Sequence, residues 1–295
     1  MNKKIVIYTA ITGDKDELLP VPQREDCNFV CFTDNKKITA EGWEVRVIEP
    51  FHSTPRLSAK PFKILPHYYF PEYDYSIWMD GTFVPRESTI INDFIEKFLA
   101  ETSIATYAHV NTFVTPVTSI FYRNCIYEEA EVCLLHNLDS QNKIIKQVQT
   151  YRTFGYPKNL GLSACSIIVR KHNDIKLKSA MDAWWREVTL RCVRDQISFR
   201  YILYEHNIAQ TEIDGNIYHD NPYFAYTPHK KEEAHNNKPN YHKWIQQIRD
   251  VVRKEDKDLF TICLKWIEKN KMEMPLDLWY TMEIAPRDVV ILLEK

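Results

Sequence analysis

The chain has 295 residues, 44% of them hydrophobic and 26% charged, with a formal net charge of −2. That length can bury a substantial core, and the composition is ordinary for a globular protein. Without a basic excess, binding along a nucleic-acid backbone is disfavoured. Seven cysteines occur with no CxxC spacing, and Met1 to Lys4 run straight into a strand pattern. The expectation is a chain without a secretory leader, in a reducing, cytoplasmic compartment.

Lys4–Ala10 reads as a buried strand followed by a turn at Thr12-Gly13-Asp14. Asn28–Thr33 is a second strand, ended by Asp34-Asn35, and Trp43–Ile48 a third that alternates. Arg56–Tyr69 reads as one helix, with Ser58 as its cap and Pro61 in its first turn. Tyr75–Asp80 is a strand, Ile90–Ala100 a helix and Ile104–Tyr107 another strand. Helical periodicity returns over Tyr127–His136 and Asn142–Phe154, then a compact strand at Ser166–Arg170, then helices over Ile175–Leu190 and Gln196–His206. Strands alternating with helices predict an α/β fold with a mostly parallel sheet. The composition shifts after about Tyr226. This divides the chain into a 1–230 domain and a 231–295 segment of linker and two amphipathic helices. Those helices either dock on the core or contact a membrane surface or partner.

The segment Tyr75-Ser-Ile-Trp-Met-Asp80-Gly81-Thr82 carries the strongest chemical signal. An apolar strand that delivers one carboxylate to its carboxyl end is how open α/β sheets place ligand-binding groups. Asp-Gly is also a common turn dipeptide. Pro85 and two charges in the residues that follow argue against a hairpin. Arg56, Lys60 and Lys63 share one helix face, able to hold a diphosphate or simply to be solvated. Asp195 reads equally as a helix N-cap and as a carboxylate aimed into a cleft, with Gln196 beside it as a sugar-hydroxyl partner. Arg123 reads as a sugar or acceptor contact, and Glu128 and Glu129 as favourable first-turn acids. His229 and Lys230 can supply a metal ligand and a phosphate-neutralising charge, or form an exposed charged loop. No HExxH, GxSxG, Walker A or GxGxxG element is present.

Several blocks occur in an order that resembles a known family: Tyr8-Thr-Ala-Ile-Thr-Gly13, Cys31-Phe-Thr-Asp34, Arg56-Leu-Ser-Ala-Lys60, Tyr75–Gly81, Arg123-Asn-Cys-Ile-Tyr-Glu-Glu-Ala130, Gly161-Leu162, Val169–His172 and Trp184-Trp185…Arg194-Asp-Gln-Ile-Ser-Phe199. They are similar to the glycosyltransferase-like family of bacterial surface-polysaccharide gene clusters and plant Golgi proteins. The resemblance covers about residues 4–230. It implies a GT-A-like fold that moves a sugar from a nucleoside diphosphate to a glycan or lipid-linked glycan hydroxyl, in capsule or lipopolysaccharide synthesis.

The resemblance would give Thr9, Ala10, Gly13 and Asp34 to the base and ribose. It would give Asp80, Gly81 and Thr82 to the metal and diphosphate, where Arg56, Lys60, Lys63 and Lys230, read above from the residues themselves, would add positive charge. Arg123, Gly161, Leu162 and Ser163 would face the acceptor. It also implies Mn2+ or Mg2+ on Asp80, although the family's second acid is replaced by Gly81-Thr82; His229, from the residue reading above, is the candidate second ligand. The family's histidine three residues before Arg123 is Ile120 here. An inverting reaction would need a base, for which Asp195 is the candidate. Two alternatives stay open: a sugar-phosphate nucleotidyltransferase, and a catalytically weak carbohydrate-binding scaffold.

Overall fold

A computed structural model describes residues 3–109, 123–135 and 138–227. The Lys230–Asn240 linker, the C-terminal helices and the 231–295 segment lie outside the described residues. Nine strands and seven helices are seen among the described ones. The central sheet has seven strands in the order β3-β2-β1-β4-β7-β6-β8. These are β1 (Ile5–Ile11), β2 (Asn28–Thr33), β3 (Glu44–Val47), β4 (Tyr75–Met79), β6 (Ile104–Ala108), β7 (Ser163–Arg170) and β8 (Thr211–Ile213). All neighbours are parallel except those of β7, which runs antiparallel to both β4 and β6. The fold is α/β with a mostly parallel sheet, as expected. The chain leaves β1 toward β2 on one side and adds β4 on the other. The switch in strand order therefore falls between β1 and β4, where open α/β sheets bind ligands.

Alternate residues of each strand face opposite sides. One face, with Val6, Tyr8, Phe32, Trp78 and Ile168, packs against α1 (Pro55–Ile64), α4 (Ile126–Leu135), α5 (Gln141–Thr153), α6 (Ile175–Leu190) and α7 (Asp195–Glu205). The other, with Ile7, Ile77, Met79 and Val169, packs against α3 (Ile91–Phe98) and a small ribbon. The ribbon pairs β5 (Phe83–Pro85) with β9 (Phe224–Tyr226) in antiparallel register. Asp80 therefore joins two different sheets, and Asp80-Gly81 is not a hairpin turn.

The predicted helix over Arg56–Tyr69 is two helices, α1 and the short α2 (Pro66–Tyr69). Pro66 disfavours helical geometry at Leu65, whose φ and ψ are −115° and 48°. Ser58 is not the cap. Thr54 holds that position and Pro55 opens the helix. The buried Ser58 hydroxyl instead donates to the His52 carbonyl at 3.0 Å and accepts from its N–H at 3.2 Å.

Beneath α1 lies Arg170, a fully buried guanidinium. It donates to the Tyr8 hydroxyl at 2.7 Å and to the Lys63 carbonyl at 2.8 Å. This ties the last turn of α1, which carries Lys63, to the sheet. Burial lowers the pKa of Arg170 below its ordinary value, with Tyr8 opposing the shift. Among the described residues, no helix is long and apolar enough to cross a membrane.

Candidate functional site

The strands β1, β2 and β4 end along one edge of the sheet, and the candidate residues collect there. Asp80 follows β4. Its N–H donates to the Ser166 carbonyl at 2.8 Å, which fixes the backbone. Trp78 lies two residues earlier on the same side of the strand, and its Nε1 donates to Asp80 Oδ1 at 2.9 Å. From α1, Lys63 Nζ reaches the same oxygen at 3.4 Å. Lys63 also approaches Asp195 Oδ2 at 2.8 Å, and Lys60 approaches it at 2.6 Å.

Asp195, at the start of α7, is thus the hub of an alternating chain: Lys60, Asp195, Lys63, Asp80. The cap reading of Asp195 fails. Arg194 is the cap residue, and no side chain caps this helix. The carboxylate points across to α1 instead.

Burial differs sharply within this chain. The side chains of Lys60, Lys63 and Asp195 are 12%, 6% and 8% exposed, whereas Asp80 is 36% exposed. Asp80 is therefore the member that a ligand reaches first. Burial alone would raise the Asp195 carboxyl, but Lys60 and Lys63 outweigh it and hold the group well below the usual carboxylate range. Burial also pulls against the Lys63 ammonium, yet Asp195 and Asp80 together make it hold its proton more tightly than a free lysine. Lys60 has Asp195 beside it and Lys63 opposing it. Burial wins there and lowers its pKa to about 8.

That depression has a measurable consequence. Below pH 8, folded and unfolded chains both hold the Lys60 proton. Between about 8 and the ordinary 10.5, the unfolded chain binds more protons. Stability from this group therefore rises with pH across that window. Lys63 and Asp195 stay charged throughout, since one is shifted up and the other down. Urea unfolding at pH 7 and pH 9.5 should show the wild type gaining about 1–2 kcal/mol relative to Lys60→Met. Parallel curves for the two proteins would place Lys60 in water.

The other candidates form three further groups. At the end of β1, Gly13 N–H donates to both carboxylate oxygens of Asp34, at 3.1 and 3.0 Å. Thr12 Oγ1 donates to the Pro55 carbonyl at 2.7 Å, so this loop is fastened to β2 and to the start of α1. Gly13 has φ +68°, and a Cβ there would lie 2.6 Å from Pro55 Cγ. Only glycine satisfies both demands. Thr9 is buried, Ala10 and Arg56 half-buried. Gly81 lets the β1 loop close over Asp80: a Cβ there would stand 3.1 Å from Ile11 Cγ1 and 3.4 Å from Asp16 Oδ2. The Thr82 carbonyl accepts from Thr227 N–H at 2.7 Å, which closes the ribbon.

Next, Gln196 Nε2 donates to the Ser163 carbonyl at 3.0 Å, and His109 N–H to the Leu162 carbonyl at 2.7 Å. Gly161, with φ +80°, packs against the Arg200 guanidinium. Gly161, Leu162, Ser163 and Gln196 are thus neighbours at the start of β7.

Last, Arg123 donates to Glu129, and Arg194 lies 3.7 Å from the other oxygen of the same carboxylate. Glu129 is fully buried. Glu129 does sit in the first turn of α4, as read, and it is also an internal counter-ion that binds the start of α4 to the residue preceding Asp195. Burial would raise its pKa, but Arg123 and Arg194 together lower it. Glu128 does act locally, accepting from Asn124 N–H at 2.6 Å. His229 and Lys230 lie outside the described residues.

Three side chains at this edge went unmarked in the sequence reading. Trp78 had a readable signal, its two-residue spacing from Asp80. Tyr218 and Tyr226 had none, because Tyr218 comes from the β8–β9 connection and Tyr226 from the β5–β9 ribbon, both far from Asp80 in sequence.

Among the described residues, no three carboxylate, histidine or cysteine side chains converge to hold a metal. One partly exposed carboxylate, that of Asp80, suits an ion such as Mg2+ only when substrate phosphates complete its shell. No curated protein matches the chain. The family model described as TOD1/MUCI70, glycosyltransferase-like domain, matches residues 25–228. That span runs from just before β2 to just after β9 and holds Asp80, both lysines and Asp195. The chain belongs to the TOD1/MUCI70 glycosyltransferase-like domain family.

Proposed function

We propose that the protein transfers a sugar from a nucleoside-diphosphate donor to a hydroxyl of a glycan or lipid-linked glycan acceptor. Family membership supports glycosyl transfer in general, with a sugar donor and an acceptor as substrates. The observation that carries the finer reading is the Lys60–Asp195–Lys63–Asp80 chain at the carboxyl edge of the sheet. Two ammonium groups held behind an accessible carboxylate suit a leaving diphosphate, whose charge grows as the glycosidic bond breaks.

In this reading the clasped loop at Gly13 and Asp34 borders the nucleoside end, with Thr9, Ala10 and Arg56 nearby. Gly161–Ser163, Gln196 and Arg123 border the acceptor end. Lys63 turns from Asp80 toward the phosphates. Asp195 keeps both lysines charged and in place. That role suits it better than general base, because a carboxylate held far below neutrality takes up a proton poorly. Mn2+ or Mg2+, when bound, would be held by Asp80 and would draw charge from the departing diphosphate.

We place the reaction in cell-surface polysaccharide assembly, in the cytoplasm or at the inner face of a membrane. The six described cysteines, all buried and free, support a reducing compartment.

The test is a thermal-shift panel of UDP-, GDP-, CMP- and dTDP-sugars with and without Mn2+. A donor present at 100 times its Kd should add about 2.7 kcal/mol, or roughly 5–10 °C. Asp80→Ala should abolish the shift and, by orphaning the Trp78 Nε1–H and loosening Lys63, lower the unliganded midpoint by a few degrees without unfolding the chain. No shift with any donor overturns the proposal.

A further inference from the structure

Three aromatic rings meet where the β5–β9 ribbon crosses Asp80. Phe83 is buried, and its N–H donates to the Asp80 carbonyl at 3.0 Å. Tyr218 stacks on it, with centroids 5.8 Å apart and planes at 29°. Tyr226 meets Tyr218 edge-on at 4.8 Å and Phe83 at 5.3 Å. Tyr218 and Tyr226 are 37% and 38% exposed as residues. A buried ring thus backs two exposed ones, forming a small, stiff aromatic face.

Its surroundings are polar. Burial raises the pKa of the Tyr218 hydroxyl and Asp80 adds to the rise, while a hydrogen bond with Ser166 and the charge of Arg123 oppose it. The Tyr218 ring lies beside Asp80 by geometry as well: it stacks on Phe83, whose N–H is bonded to the Asp80 carbonyl. Tyr226 lies on the opposite flank, toward Asp16 of the β1 loop.

A pyranose has the matching character: an apolar face of C–H bonds and a rim of hydroxyls. A nucleobase is flat and apolar on both faces, and the clasped Gly13–Asp34 loop, on the β1–β2 side of Asp80, is the end for it. Ser166 belongs to β7, on the other side of β4. The ring of Tyr218 is thus displaced toward the side away from the nucleoside end.

We propose that Tyr218, braced by Tyr226 and Phe83, is a sugar-stacking platform that receives one pyranose ring of a substrate beside Asp80. The inference rests on the glycosyl-transfer reading for the identity of that substrate, but not for the platform itself. The ring can belong to the donor or to the acceptor.

The test titrates the full-length chain with UDP, GDP, UDP-glucose, UDP-galactose and GDP-mannose, and with cellohexaose and xylohexaose, by calorimetry. Wild type, Tyr218→Ala, Tyr218→Phe and Tyr226→Ala are compared. A donor ring is shown if Tyr218→Ala weakens a sugar nucleotide about tenfold while its parent nucleoside diphosphate changes less than about twofold. An acceptor ring is shown if an oligosaccharide weakens about tenfold and nucleotide affinities hold. In either case Tyr218→Phe keeps the ring and most of the affinity, and Tyr226→Ala gives a smaller loss.

Equal loss for a nucleoside diphosphate and its sugar would assign the rings to the base and overturn the platform. So would unchanged binding in Tyr218→Ala, or a wild type that binds none of the probes. Oligosaccharide binding that needs Tyr218, in a chain that binds no nucleotide, would keep the platform and overturn glycosyl transfer.

Discussion

Asp195→Ala is expected to lower the unfolding free energy by about 3–5 kcal/mol, the usual result of removing one partner from a buried ion pair. The size follows from the geometry. Lys60 and Lys63 both approach one Asp195 oxygen, and both side chains are nearly buried. Without the carboxylate, two ammonium groups face each other with only Asp80 left to offset them, 3.4 Å from Lys63. An exposed ion pair would give about 0–1 kcal/mol instead, so the measurement separates the two cases cleanly. Urea denaturation at pH 7 reads it directly, provided the m-value holds. Asp195→Ala combined with Lys60→Met should recover part of the loss, because one buried charge leaves with its partner. A single variant as stable as the wild type would mean that the lysines reach water without Asp195.

Glu129→Gln is expected to cost a similar amount, about 3–5 kcal/mol. As a first-turn acid acting on the helix dipole, Glu129 would contribute only about 0.3–1 kcal/mol. The structure gives it Arg123 and Arg194 as partners and no exposure. Glu128→Gln is the internal comparison. It loses one local contact to Asn124 N–H and should stay within about 1 kcal/mol. Melting temperatures should differ between the two variants by about 6 °C or more. Equal midpoints would return Glu129 to the role of an ordinary helix-end acid.

These two residues also show where the sequence is readable and where it is not. β2, α6 and the ends of β1 and β4 are legible because long apolar runs of fixed period leave little choice. β5, β8 and β9 have three residues each, too few for any period to register. The reversed direction of β7 is invisible for another reason. Nearly every residue of that strand is buried, so its pattern reads alike in either direction.

Within the site, Asp80 stands out because it ends an apolar strand. Lys60 and Lys63 are visible as a shared helix face, but their burial is not. The link to Asp195 spans more than a hundred positions, and nothing local at Arg194-Asp195-Gln196 distinguishes a cap from a counter-ion. Pro66, by contrast, was a readable helix break, and the apolar periodicity around it masked it.

The direction of β7 has one more consequence. A parallel strand would send the connection that precedes it to the far edge of the sheet. Reversed, β7 brings residues 154–162 to the same edge as Asp34, Gly13 and Asp80. That connection carries exposed Phe154 and Leu160 and is anchored by the His109 bond to Leu162. Doubling the length of such a surface loop costs only about 0.6 kcal/mol. Tyr156 and Leu162 pin that connection into the core at its two ends, so length changes are tolerated only between them, at residues 157–160, and leave the clasp between Asp34 and Gly13 untouched. An architecture of this kind separates what may drift from what must be kept. The mostly exposed 157–160 stretch, between the buried anchors Tyr156 and Leu162, is the part of that rim that can change without disturbing the core.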